Sequence, residues 1–227
     1  MNIILVHGAW ADGSSWSRVI PKLLNAGHNV TAAQLPLTSL SNDIKRVQEL
    51  LDDFTGPTLL VGHSYGCAVV TGAGTDAKQV VGVVYIAGFA LDEGESLADI
   101  FSKYPPLPSG KYIKPDAHGY LWVEPKYFPK YFAADVDLKT AKTMAVVQNP
   151  IAGLGFSEKS GPPAWKKLPS WYQVSNDDMM IPPAAERMMA KRANATTISL
   201  NSSHASLVSH WKQVANFILL ATKGKKE

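Results

Sequence analysis

The sequence predicts an α/β fold: a doubly wound, mostly parallel sheet of about six strands, helices on both faces and an inserted cap. Three observations lead there. Short apolar runs alternate with helical patterns through most of the chain. A Gly-x-Ser-x-Gly stands directly after one of those runs. The alternation then stops over residues 91–165, which hold about half of the aromatic residues and more than half of the prolines. At 227 residues, 46% of them hydrophobic and 18% charged, the chain can bury a large core in one domain and is excluded from the disordered class.

The apolar runs at 3–6, 29–33, 58–61, 80–86, 170–174 and 196–200 read as strands. Most are continuous rather than alternating, as expected of parallel strands covered on both faces. Helical patterns fall between them, at 15–26, 41–54, 64–75, 183–194 and 206–222. After the polar start at Ser41, the residues Ile44, Val47, Leu50 and Leu51 recur at helical spacing, and Pro182 and Pro183 stand where a helix begins without losing a hydrogen bond. This order implies right-handed crossovers and assigns residues 1–90 and 166–227 to one core. Residues 91–165 show no strand pattern and only a weak helix at 135–148. So long an irregular segment is either functional or disordered, and its aromatic load argues against disorder. It reads as a cap over one edge of the sheet, most of its aromatics packing it down.

Composition narrows the function. The net charge is only +3, and no basic stripe interleaved with aromatics points to nucleic acid. The basic end at 223–227 reads as a solvated tail. No run of 18 apolar residues predicts a membrane span, and the apolar start at residues 2–6 is too short for a secretory leader. The single cysteine, Cys67, forbids an internal disulfide. A cytoplasmic protein is expected. No metal-ligand spacing and no glycine-rich phosphate loop is visible, so neither metal nor cofactor is expected.

Gly62-His63-Ser64-Tyr65-Gly66 after the run at 58–61 reads as a nucleophile elbow, a turn that lifts a serine hydroxyl clear of a sheet. A serine hydroxyl needs a base, and the base needs a group that fixes its tautomer. His204, in the polar loop between the last strand and the last helix, is the favoured base. His7 and His63 sit inside turn motifs, His28 lies at the opposite edge, His118 in the cap and His210 within a helix. The acid should end the preceding strand, where Asp177 and Asp178 adjoin; Asp178 is favoured, and Asp92 is a third candidate. The amides of Tyr65 and Ala9 are the expected oxyanion donors, since both follow strand ends. Trp10, Phe89, Trp122 and Phe128 are the expected lining of an apolar substrate pocket.

The chain resembles the α/β-hydrolase superfamily over nearly its whole length, closest to the small branch of plant methyl esterases, hydroxynitrile lyases and their bacterial esterase relatives. Leu5 through Trp10, Ala26 through Val30, Gly62 through Gly66, Ala87 through Ala90 and Asp178 through Pro182 carry the resemblance, along with the order Ser64, Asp178, His204. It implies a serine hydrolase of small to medium apolar or aromatic carboxylic esters. Cys67 stands where many relatives have a further glycine. Where the lyases of this branch resemble one another in a threonine and in a lysine after the histidine, this chain has Ala9 and Ala205, which favours esterase over lyase. Two other uses stay open: a ligand receptor that hydrolyses slowly, and cleavage of a lactone, amide or carbon–carbon bond. The sequence is silent on oligomeric state.

Overall fold

Ile3 through Val6 are fully buried, and so is every residue of the run after Pro57, because both lie in the middle of a sheet. The computed structural model describes residues 1–224; of the basic tail, residues 225–227 lie outside the described residues. Its main sheet has six strands, all parallel: β1 (Asn2–Val6), β2 (Asn29–Ala33), β3 (Thr58–His63), β4 (Val80–Ile86) and then, beyond the insert, two more. The insert holds a small antiparallel sheet of β5 (Ile113–Pro115), β6 (Tyr120–Val123) and β7 (Ile151–Ala152). The main sheet is completed by β8 (Ser170–Ser175) and β9 (Thr196–Leu200), giving the order β2-β1-β3-β4-β8-β9. The edge strands β2 and β9 are partly exposed, whereas β3 and β8 are buried throughout.

The helices of the core are α1 (Ile20–Asn25), α2 (Leu40–Asp52) and α3 (Tyr65–Ala73). The insert adds α4 (Leu97–Ser102), α5 (Phe128–Tyr131), α6 (Leu138–Val146) and α7 (Leu154–Ser157), and the core resumes with α8 (Pro183–Arg192), α9 (Ser206–Ser209) and α10 (Trp211–Ala221). The chain steps one way from β1 to β2 and the other way from β2 to β3. Right-handed crossovers therefore put α1 and α2 on opposite faces. Accordingly α1 packs with α10, and α2 with α3. The reversal leaves a crevice between the carboxyl ends of β1 and β3, the place where ligands bind in sheets of this kind.

Two expected helices are broken. The pattern at 15–26 becomes a short 3-10 turn, Gly13–Trp16, capped by Asp12, followed by α1 with Pro21 in its first turn. Pro21 can enter a helix only there, and it discourages helical geometry just before it. The pattern at 206–222 divides at His210, where φ is −111° and ψ is 30°. Ser209 and His210 both turn to Asp135 of the insert, at 2.8 and 3.3 Å, a tertiary contact that overrides helical periodicity. The insert also has strands that the sequence does not reveal. At two to four residues each, they are too short to display alternation.

Candidate active site

The loop after β3 is the tightest turn in the site. Ser64 has φ 53° and ψ −123°, a strained backbone for a residue with a Cβ, and it stands immediately before α3. Glycine on both sides makes the turn possible. A Cβ on Gly62 would lie 2.6 Å from Cys67 N and Cα, and one on Gly66 would overlap the backbone carbonyls of Val6 and His7. These are backbone atoms that cannot swing aside, so α3 can start beside β1 only with glycine at both places. Ser64 N–H is held by Ile86 O at 3.0 Å and Ser64 O by Cys67 N–H at 3.0 Å, which leaves the hydroxyl at the surface of a cavity.

His204 lines the same cavity and meets Asp178 behind it. Asp178 follows β8 in a turn whose amides it holds: Oδ1 accepts from Met180 N–H at 2.6 Å and from Ile181 N–H at 2.9 Å. Its Oδ2 lies 2.5 Å from His204 Nδ1, with both side chains fully buried. A carboxylate there fixes the proton on Nδ1 and leaves Nε2 as the acceptor. Among the described residues Nε2 has no hydrogen-bond partner, and His204 and Ser64 line the same cavity. Asp177 is exposed and Asp92 pairs with Lys166 at 2.5 Å, so of the three acids considered only Asp178 touches His204.

The other buried histidines are bound into the scaffold. His7 Nε2 accepts from Leu35 N–H at 3.0 Å, so Nδ1 carries the proton and donates to Gly8 O at 2.8 Å. Burial lowers its pKa. Burial also pushes His63 well below its ordinary value, assisted by the neighbouring His204. Neutral His63 holds the backbone carbonyl of His204 at 2.9 Å and so steadies the loop that carries the other ring.

Ala9 and Tyr65 are 1% exposed and their residues line the cavity beside Ser64. Among the described residues the backbone bonds that fix the two loops are those of Trp10 N–H to Asn149 O and of Cys67 N–H to Ser64 O. The Tyr65 side chain turns away, its hydroxyl donating to Asp43 Oδ2 at 2.5 Å while Asp43 Oδ1 accepts from Leu37 N–H at 2.9 Å. Burial raises Asp43 to about 6. With the folded value above the unfolded one, this group contributes stability at low pH that is lost as pH rises from about 4 through about 6. Asp43→Asn removes that dependence. The melting temperature of the variant relative to wild type should rise between pH 4.5 and 7.5, which thermal melts across this range will check.

The cavity measures about 480 Å³ and is mostly apolar. Trp10 and Phe89 line it, with Phe101, Leu121, Phe156 and Met180. Trp122 and Phe128 do not. Successive residues of a strand face opposite ways, so Leu121 faces the cavity and Trp122 bonds Asp116 Oδ2 at 3.1 Å on the other side. Phe128 is fully buried and stacks on Phe132 at 4.5 Å, and Phe132 sets its edge against His204 at 4.8 Å. Nothing in the sequence singles out Phe132, which covers the histidine, or Asp135, which accepts from Ser203 N–H at 3.1 Å and ties the insert to the His204 loop. The abundance of aromatics in the insert signalled such packing without saying which ring did it. A second cavity of about 430 Å³ shares Trp10 as a wall and contains none of Ser64, Asp178 or His204. No three His, Cys, Asp or Glu side chains among the described residues are grouped to hold a metal ion. None of the described helices is long and apolar enough to cross a membrane.

The family model described as "Alpha/beta hydrolase family" matches residues 3–217. A carbendazim hydrolyzing esterase of Nocardioides sp. (strain SG-4G) is 35% identical over 130 residues, covering 49% of this chain and 52% of the relative. Salicylic acid-binding protein 2 of Nicotiana tabacum is 31% identical over 120 residues, 45% of each chain. The match thus spans about half the length of these two curated relatives. Among solved structures, a pyrethroid hydrolase from Sphingobium faniae JZ-2 superimposes with a TM-score of 0.85 at 21% identity, covering 99% of this chain and 98% of that one.

Proposed function

The chain belongs to the alpha/beta hydrolase family, related to plant methylesterases, hydroxynitrile lyase and bacterial esterases, and on that premise we propose that it is a serine esterase acting on small to medium apolar or aromatic carboxylic esters. The observation that carries this reading is the convergence of Ser64 and His204, backed by Asp178, on one apolar cavity. His204 Nε2 takes the Ser64 proton as Oγ attacks the ester carbonyl. The Ala9 and Tyr65 amides stabilise the oxyanion. Protonated His204, its charge balanced by Asp178, gives the proton to the leaving alcohol. Water then enters and attacks the acyl carbonyl as His204 takes its proton; the bond to Ser64 Oγ breaks, His204 returns the proton to Oγ, and the carboxylic acid leaves.

The cavity wall bears on what is hydrolysed. Phe89, Phe101, Leu121, Phe156 and Met180 offer burial to an apolar group and no counter-ion to a charged one. The acid product ionises in that setting without a partner, which favours its departure. The two positions that would need polar groups for cyanohydrin cleavage are Ala9 and Ala205, both buried. That supports hydrolysis over the lyase reaction of related chains. Carbendazim and pyrethroid hydrolases among the relatives agree with neutral substrates of this size.

Steady-state hydrolysis of p-nitrophenyl acetate, butyrate and octanoate, with an ester of a dicarboxylic half-acid for comparison, tests the proposal. Neutral esters should turn over, and the half-acid ester should lose at least about tenfold in kcat/KM for want of a cation. Negligible turnover of every ester would overturn the esterase reading and favour a ligand receptor of the same fold.

A further inference from the structure

Glu186 is a charged residue type at 0% exposure, in the first turn of α8, directly behind the acid of the site. Its Oε2 accepts from Ser175 N–H at 3.0 Å, at the end of β8. Its Oε1 is buried and has no acceptor-type bond from any described donor. Its carboxyl group lies against that of Asp178. Two buried carboxylates in hydrogen-bonding contact repel each other when both are ionised, which favours one negative charge over two.

The hydrogen bonds decide which one carries it. Asp178 is surrounded by donors, namely Met180 N–H, Ile181 N–H and His204 Nδ1. Glu186 has one, Ser175 N–H. Of the other titratable groups that act on Glu186, Arg187 is a cation whose charge partly offsets burial and the Asp178 charge. Tyr172 of β8 donates its hydroxyl to Gly88 O, and the Cys67 thiol of α3 points to Ile86 O at 3.7 Å. Arg187, next in the helix, reaches outward to Asn176 Oδ1 at 2.5 Å. Burial, and then the Asp178 charge, push the Glu186 carboxyl well above its ordinary range. Protonation of Glu186 turns the orphan Oε1 into a donor and satisfies both carboxyl groups together.

We infer that Glu186 is a neutral carboxylic acid that donates its hydrogen bond to Asp178, a positioning residue that keeps the acid behind His204 anionic and aligned. This rests on the esterase reading for its kinetic consequence and not for its protonation state. With Glu186 neutral, the site carries a single negative charge, which is matched when His204 takes the Ser64 proton. A second, ionised carboxylate would hold that proton on His204 and slow its delivery to the leaving alcohol.

Glu186→Gln and Glu186→Ala test it, in the full chain. Glutamine keeps the acceptor for Ser175 and an N–H donor for Asp178. It should retain kcat within about threefold, with the acid limb of kcat/KM at its wild-type pH. Alanine removes both bonds and should lower kcat by about tenfold to a hundredfold with little change in KM. Infrared difference spectroscopy of wild type minus Glu186→Gln at pH 7 should show the carbonyl stretch of a protonated carboxylic acid. That readout is independent of activity, so it survives failure of the esterase reading or poor folding of the alanine variant. Absence of the band would overturn the inference, and so would an acid limb displaced to lower pH in Glu186→Gln, the sign expected when a negative charge near His204 is removed.

Discussion

Ser64→Ala should lose at least about 10³-fold in kcat on every ester that the wild type hydrolyses, while keeping its melting temperature. The size of the loss follows from the mechanism. Without Oγ there is no acyl-enzyme, and what remains is whatever the apolar cavity and the amides of Ala9 and Tyr65 do for direct attack by water. The retention of stability follows from the structure. The Ser64 side chain does not cap α3, and the strained φ of 53° burdens alanine as much as serine, since both carry a Cβ. The backbone bonds from Ser64 N–H to Ile86 O and from Cys67 N–H to Ser64 O are untouched by the substitution. The comparison therefore separates chemistry from folding. Equal turnover in variant and wild type would mean that another nucleophile is at work. Loss of turnover together with a fall in melting temperature would mean that the elbow needs the hydroxyl for its shape.

What was legible in the sequence follows from where the constraints are local. The inner strands could be read because a strand buried on both faces is a continuous apolar run, as in Leu59 through Val61 and Val83 through Ile86. Ser64, Asp178 and His204 could be picked out together because each follows a strand that the sequence predicts, and the carboxyl ends of parallel strands all face one rim. Features that depend on distant partners were not legible. The three short strands of the insert are defined by their pairing, as between Ile113 and Val123, and not by their composition. Trp122 and Leu121 are adjacent, and only the register of β6 determines which of them meets the cavity. Phe128 and Phe132 look alike in sequence, yet one buttresses the other, and the second alone touches His204. Glu186 is hidden for the same reason. A glutamate in the first turn of a helix is an ordinary helix-start residue, and its burial against Asp178 appears only once β8 and α8 are folded together.

Asp178→Asn should lower kcat by about 10⁴-fold, a loss of the order expected for removal of the nucleophile, although it changes one oxygen to nitrogen. The asparagine is held in place by the contacts that hold the aspartate. Its Oδ1 can still accept from the N–H groups of Met180 and Ile181, so the amide is oriented with Nδ2 toward His204 Nδ1. An NH₂ group there is a donor and requires Nδ1 to accept. The imidazole proton moves to Nε2, and the nitrogen that faces the cavity loses the lone pair that would take the Ser64 proton. The imidazolium formed during attack also loses its balancing charge, in a site too buried for water to replace it. Burst amplitude should vanish along with steady-state rate, because acylation itself is blocked, and KM should change little, because Asp178 does not line the cavity. Asp177→Asn provides the control. That side chain is exposed, and among the described residues its bond is that of the backbone N–H with Ser202 O at 3.1 Å, so the kcat of the variant should stay within about threefold of wild type. If the two substitutions had equal effects, the acid of the site would not be the residue that touches His204.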